Sequence, residues 1–182
     1  MDRILAFLLI VIISPILLIL IGITFLDLKC NPIFIQTRTV CGTKEFKFYK
    51  IRSMRKLAPN VPTSEFHESH RYITRWGKFL RIYSLDELLN LICIIRGDMK
   101  FIGPRPIMIS ELGLISKRFK NGIDGKAGIT GLAQINGRDI ITVDRKVACE
   151  RYYNYRESSI GLRIYILYRT ILIVIRKSGI TH

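Results

Sequence analysis

Acidic residues are what this chain has least of. Only 14 Asp and Glu stand against 29 Lys and Arg in 182 residues, a formal net charge of +15. With 49% hydrophobic residues and a mean hydropathy of +0.25, the chain is too apolar for a typical basic soluble domain and suggests membrane association. The four cysteines, Cys30, Cys41, Cys93 and Cys149, are scattered with no C-x-x-C pair, so they read as free thiols of a reducing cytoplasm. No internal repeat and no low-complexity segment is visible. His67, Glu68 and His70 stand alone in a polar loop running from Pro59, which suits solvation better than a zinc site.

Charge is also missing from the beginning of the chain. Residues 1–28 carry only Asp2, Arg3 and Asp27, a net of −1, which leaves +16 for residues 29–182. From Ile4 to Leu28 the sequence is almost continuously apolar, and about 20 such residues suffice to cross a bilayer. Proline at Ser14-Pro15 removes a backbone hydrogen bond near the middle of that run and bends a helix there. The positive-inside rule puts the basic remainder, with Lys29, Arg38 and Lys44, in the cytoplasm. Two topologies satisfy it: a span with an outside N-terminus, or a kinked helix that enters one leaflet and returns. Asp2 and Arg3, held with the cytoplasmic headgroups, fit the second. No A-x-A-like cleavage site precedes the basic region, against a signal peptide.

After Asn31 the pattern changes to period two. Pro32–Arg38 and Lys44–Arg52, separated by a break around Cys41-Gly42, predict a hairpin-like pair of strands. Their basic and aromatic interleaving comes with no nucleic-acid motif, so a half-buried strand with a solvated basic face is expected. The reading along the chain is therefore α+β, mostly helical with a short hairpin.

The segment from Ser84 to Pro106, SLDELLNLICIIRGDMKFIGPRP, organises the remainder. Ser84 followed by Glu87 has the S-x-x-E pattern of a capping box, Leu88, Leu89, Ile92 and Ile95 continue an apolar helix, and Gly97 stops it. Asp86 and Glu87 then lie in a first helical turn, where exposed N–H groups and the helix dipole favour negative charge, a phosphate or a metal. Capping and dipole effects alone would also place two acids there. Gly103-Pro104-Arg105-Pro106 fixes the backbone on either side of one arginine, which suits a guanidinium held ready for phosphate as well as an ordinary surface turn. Upstream, Arg75, Lys78 and Arg81 are brought towards the carboxylates on a short helix near Trp76-Gly77.

Downstream, Ile107–Phe119 reads as a helix. In Gly128–Arg138 the glycines let backbone approach a ligand. An extended second half would project Gln134, Asn136 and Arg138 to one side, and a hairpin turn at Asn136-Gly137 is the competing arrangement. Val143–Tyr155 looks helical, and Ser159 can cap a last helix, Leu162–Lys177. Its apolar core, interrupted by Arg163, Arg169 and Arg176, is too short and too charged to span a bilayer. It suits a helix lying in the interface, with a buried core helix as the alternative.

Taken in order, Ser14-Pro15, FKFYKIRSM from Phe46, SLDEL from Ser84, GDMKFIGPRP from Gly97 and GITGLAQINGR from Gly128 resemble the bacterial monotopic phosphoglycosyl transferases, also called bacterial sugar transferases. The match covers nearly the whole chain and is similar to the family's minimal catalytic form. It implies transfer of a sugar 1-phosphate from a UDP-sugar to polyprenyl (undecaprenyl) phosphate at the bacterial inner membrane, on its cytoplasmic side, releasing UMP. It further implies a re-entrant helix over residues 1–28 broken at Ser14 and Pro15, and a membrane-surface catalytic domain over 29–182. By the same resemblance Asp86 is the nucleophile, Glu87 helps it hold Mg²⁺, and Lys50, Arg81, Arg105, Gln134, Asn136 and Arg138 lie near phosphates or nucleotide. Membrane lipid is an expected partner and nucleic acid is not.

Three departures from the family pattern concern Leu89, Lys126-Ala127 and Glu150, where the family usually has proline, Arg-Pro and aspartate. A non-catalytic basic adaptor for anionic lipid or nucleic acid would account for the charge. It would leave the paired carboxylates and the Pro-Arg-Pro turn without a role.

Overall fold

The computed structural model describes residues 2–59, 69–137 and 141–176. The chain is mostly helical with little sheet. In order it forms α1 (Asp2–Leu28), β1 (Ile33–Thr39), β2 (Glu45–Ile51), α2 (Arg75–Ile82), a 3-10 segment (Leu85–Asn90), α3 (Leu91–Arg96), β3 (Met99–Ile102), α4 (Leu112–Lys120), β4 (Ala127–Thr130), α5 (Leu132–Ile135), α6 (Val143–Tyr155) and α7 (Ile160–Arg176). The four cysteines are free. Two compact units are present, Met1–Gln36 with Lys47–Gly97, and Thr37–Phe46 with Asp98–Thr181.

In the first unit α1 runs as one helix through Pro15, and Ser14 Oγ donates to the Val11 carbonyl at 2.8 Å. Its inward face is Ile10, Ile13, Leu17, Leu20 and Ile21, the i, i+3, i+4 spacing of one helical stripe. These side chains pack with Ile51, Leu80 and Leu89. One turn on, Thr24 Oγ1 accepts the indole N–H of Trp76 at 2.9 Å. At the other end of the helix the Arg3 guanidinium lies against Gly97, so closely that a Cβ there would meet it at 2.0 Å. Gly97 ends α3 in the left-handed region, φ 84°, a conformation that glycine adopts without steric cost. The opposite face of α1 leaves Phe7, Leu8, Ile12, Leu18, Ile19 and Leu26 exposed.

The expected strands form and pair. In β2, Phe46, Phe48 and Ile51 are buried and Glu45 and Lys47 exposed, the period-two pattern of a half-buried strand.

The second unit holds a strand pair that the sequence did not announce. β3 and β4 run parallel, Met99 opposite Ala127 and Ile102 opposite Thr130, joined by a crossover that contains α4. The predicted helix over Ile107–Phe119 begins only at Leu112, because Ile107 instead exchanges backbone hydrogen bonds with Thr39. α7 packs Leu162, Ile166 and Ile173 on Ile102, Ile135 and Tyr153. Its other side leaves Ile164, Leu167, Tyr168, Ile171 and Ile175 exposed. Ser159 accepts the Leu162 N–H at 3.4 Å, as a cap for that helix would.

Candidate active site

The paired carboxylates are assembled differently from the capped helix that the sequence suggests. Ser84 has φ 54° and its side chain caps nothing. The turn is closed by backbone, the Glu87 N–H donating to the Ser84 carbonyl at 3.2 Å. Asp86 and Glu87 thus sit in a 3-10 segment that passes into α3 only after Asn90. The S-x-x-E pattern fails as a reciprocal cap because Glu87 is engaged elsewhere.

Its Oε1 accepts from Lys50 Nζ at 2.9 Å, and the same Nζ lies 3.7 Å from Asp86 Oδ2. β2 supplies Lys50 and α2 supplies Arg81, whose Nε donates to Ser53 Oγ at 2.8 Å. Lys50, Arg81, Asp86 and Glu87 therefore form one cluster, two cations and two carboxylates, in the first unit.

Asp86 is 5% exposed. Burial raises its pKa above the ordinary carboxylate value; Glu87 adds to the rise, while Lys50, Arg81 and its own backbone N–H oppose it. Desolvation, rather than a helix end, is thus the largest influence on this carboxylate. Burial likewise lowers the Arg81 pKa, against the pull of Asp86 and Glu87.

One residue that the sequence reading passed over holds this cluster in place. Asn90, 1% exposed, accepts the Tyr49 N–H at 3.1 Å through its Oδ1 and so ties β2 to the carboxylate segment. A lone amide inside the apolar run LLNLICII was the visible signal.

The arginine turn lies in the second unit, and its backbone is fastened at successive residues. The Pro104 carbonyl accepts from Gly128 N at 2.9 Å, the Arg105 carbonyl from Arg118 at 2.9 Å and the Pro106 carbonyl from Arg38 at 3.4 Å. Gly103 and Gly128 come so close that a Cβ on Gly128 would meet Gly103 N at 2.0 Å, which excludes any other residue there.

Arg118 is itself 1% exposed. Its Nε donates to Glu150 Oε2 at 2.7 Å, a second nitrogen bonds Glu150 Oε1, and its third donates to the Val40 carbonyl at 3.0 Å. Nothing in the sequence marked Arg118, one basic residue among many. Glu150 was visible only as a departure from a family pattern, and here it is the buried anion that holds Arg118.

The extended second half that would project Gln134 and Asn136 to one side does not form. Residues 132–135 are helical rather than extended, so Gln134 points inward at 6% exposure with its Oε1 unpartnered among the described residues. Asn136 Nδ2 bonds the Leu132 carbonyl at 2.8 Å and closes that short helix, which also excludes the hairpin turn. Arg138 falls outside the described residues, as do His67 and Glu68.

Residues 1–177 match the bacterial sugar transferase family, and the chain belongs to that family of transferases. It is 34% identical to the undecaprenyl-phosphate galactose phosphotransferase of Salmonella typhimurium over 75% of this chain and 32% of that protein. It is 31% identical to the UDP-glucose:undecaprenyl-phosphate glucose-1-phosphate transferase of Escherichia coli over 93% of this chain and 38% of the relative. An uncharacterised sugar transferase of Bacillus subtilis, EpsL, is 32% identical over 92% of this chain and 81% of its own length. The chain thus spans about a third of the two longer relatives and most of the Bacillus protein.

Proposed function

We propose that this chain transfers a sugar 1-phosphate from a UDP-sugar to polyprenyl phosphate, giving polyprenyl-diphosphate-sugar and UMP, with Asp86 as nucleophile. The observation that carries the reading is Asp86 itself, a nearly buried carboxylate kept beside Lys50, Arg81 and Glu87. A structural acid would be cheaper in solvent, and perturbed carboxylates flanked by cations are frequent at reaction centres. The names of the relatives favour the same substrates.

A carboxylate oxygen of Asp86 attacks the phosphorus that bears the sugar. A new P–O bond forms, the bond to the nucleotide phosphate breaks, and UMP departs with that electron pair. In the second displacement an oxygen of polyprenyl phosphate attacks the same phosphorus and the Asp86 carboxylate is released, a ping-pong sequence. Lys50 and Arg81 offset negative charge gathering around the cluster, and Arg105, on a turn with fixed backbone, is available for a phosphate fork.

Two carboxylates suit Mg²⁺, which is commonly held by one or two acids with phosphates and water completing the shell. Asp86 and Glu87 would hold it, and when bound it would supply charge neutralisation at the diphosphate.

The lipid acceptor calls for a site at the membrane surface, and α1 supports the re-entrant arrangement. From Arg3 to Thr24, about 32 Å of helix at 1.5 Å per residue, it packs along its own unit. Standing across the bilayer, it would draw Arg81, Asp86 and Glu87 towards hydrocarbon at a cost of several kcal/mol per charge. Entering one leaflet and returning, it would bury its exposed apolar face while the cluster stays on the cytoplasmic side.

The test is Asp86→Asn with a panel of UDP-sugars and polyprenyl phosphate. UMP release and the phospho-sugar adduct seen by intact-mass measurement should both vanish; continued turnover would overturn the nucleophile assignment. Labelling of a cysteine at position 2 from outside intact cells would exclude the re-entrant helix.

A further inference from the structure

We propose that Lys146 is a phosphate-binding residue, sharing with Arg105 and Gln134 a small anion site in the second unit. This rests on the transferase reading above and adds a residue that neither the sequence motifs nor the paired carboxylates pointed to. A cavity of about 30 Å³ is lined by Arg105, Glu111, Arg118, Gln134, Lys146 and Glu150, with Ile107, Leu114 and Ala133 completing its wall. That is room for water-sized polar groups such as the oxygens of one phosphate, and too little for a sugar ring or a base.

The charges around it sort into spent and unspent. Glu150 and Arg118 satisfy one another. The Glu111 Oε1 accepts the Met108 N–H at 2.8 Å and lies 4.0 Å from Arg38. Arg105 and Lys146 form no ion pair among the described residues. With three cations against two carboxylates, and both carboxylates engaged, the free charge facing the cavity is positive.

Gln134 supplies the second, independent sign. It is 6% exposed and its Oε1 has no partner among the described residues, whereas a buried side-chain amide is ordinarily bonded. A rotation about its last bond, unopposed by any hydrogen bond, would present the NH₂ end to an anion. Gly131 permits the close fit, since a Cβ there would meet Gln134 Oε1 at 2.6 Å. Two unspent cations and an uncommitted amide around a space for a few water-sized oxygens suit the oxygens of a phosphate. Lys146 lines it from α6, and Arg105 from a turn whose carbonyl accepts from Arg118.

The phosphate can come from the nucleotide or from the lipid acceptor, and the experiment separates them. The full chain in lipid nanodiscs, as wild type, Lys146→Met, Lys146→Arg and Gln134→Leu, is titrated calorimetrically with inorganic phosphate and with UMP. KM is measured for UDP-sugar and for polyprenyl phosphate. Loss of one charge-assisted contact corresponds to weakening on the order of ten- to a hundred-fold. Lys146→Met should show it for inorganic phosphate and for one of the two substrates, which identifies the source, and Lys146→Arg should retain most of the binding. Lys120→Met, an exposed lysine on α4, is the control for bulk charge. Unchanged phosphate binding in Lys146→Met, or equal weakening in Lys120→Met, overturns the proposal. If no UDP-sugar is turned over by the wild type, the transferase reading fails, while the phosphate titration still decides whether the site exists.

Discussion

Arg118→Met is the sharpest test of how the arginine turn is held. The guanidinium is 1% exposed and serves three partners at once: the Glu150 carboxylate, the Val40 carbonyl and the Arg105 carbonyl. Methionine fills similar volume but donates nothing. Breaking a buried pair by removing one partner costs about 3–5 kcal/mol, because the remaining charge is left buried and uncompensated. Each abandoned carbonyl adds about 1–3 kcal/mol unless water reaches it. Against a total stability of about 5–15 kcal/mol, the ion-pair loss alone is a large fraction. The double variant Arg118→Met/Glu150→Leu should recover most of that loss, since no charge stays behind. Guanidinium unfolding in detergent micelles gives the energies. Hydrogen exchange at the Ile107 and Gly128 amides, which bond Thr39 and Pro104, reports the turn itself. A single variant within about 1 kcal/mol of wild type, or a double variant worse than the single, would refute the reasoning.

Other outcomes follow from the same geometry. Lys50 is the strongest influence opposing the upward shift of Asp86, so Lys50→Met should move the acid limb of the pH–rate profile to higher pH; a profile unchanged in position would show that Asp86 ionisation does not set that limb. Because Asp86 is shifted upward on folding, its contribution to stability is present at low pH and lost as pH rises through the folded pKa. Asp86→Asn should therefore melt at higher temperature than wild type at pH 8, with the gap closing in acid, and scanning calorimetry at two pH values checks the sign. Gly131→Ala places a Cβ 2.1 Å from the Gly103 carbonyl oxygen and should cost about 1–3 kcal/mol. Gly113→Ala, with nothing within 4 Å in α4, should instead stabilise by up to about 1 kcal/mol.

What the sequence disclosed follows from how local each signal is. Period two in β2 and the glycine stop at Gly97 are set by neighbours along the chain, and both appear as expected. The S-x-x-E pattern was equally local and failed, because Glu87 had a stronger partner in Lys50, 37 residues away. No window around Ser84 contains that information. The β3–β4 pair fails to announce itself for a related reason: four-residue strands carry almost no periodicity, and parallel pairing across α4 comes with the close approach of Gly103 and Gly128. GITGLAQINGR left an extended polar row and a hairpin turn at Asn136-Gly137 both open, and neither anticipates the turn of helix over residues 132–135 that turns Gln134 inward. Arg118 was invisible because burial, not identity, distinguishes one arginine among 29 basic residues.

The apolar run at the N-terminus shows the opposite limit, a signal too strong to be specific. When nearly every residue from Ile4 to Leu28 is apolar, no stripe stands out, and composition cannot say which face meets protein and which meets lipid. Packing separates them: Leu17 and Leu20 are buried in their unit, while Leu18 and Ile19, chemically alike and next to them, are exposed. The polar pair at Thr24 and Trp76 gives this face a direction that apolar contacts alone would not. At Arg3 and again at Thr24 the helix is anchored to the same unit that carries Asp86. The same packing thus fixes where the exposed apolar face of α1 lies relative to Asp86.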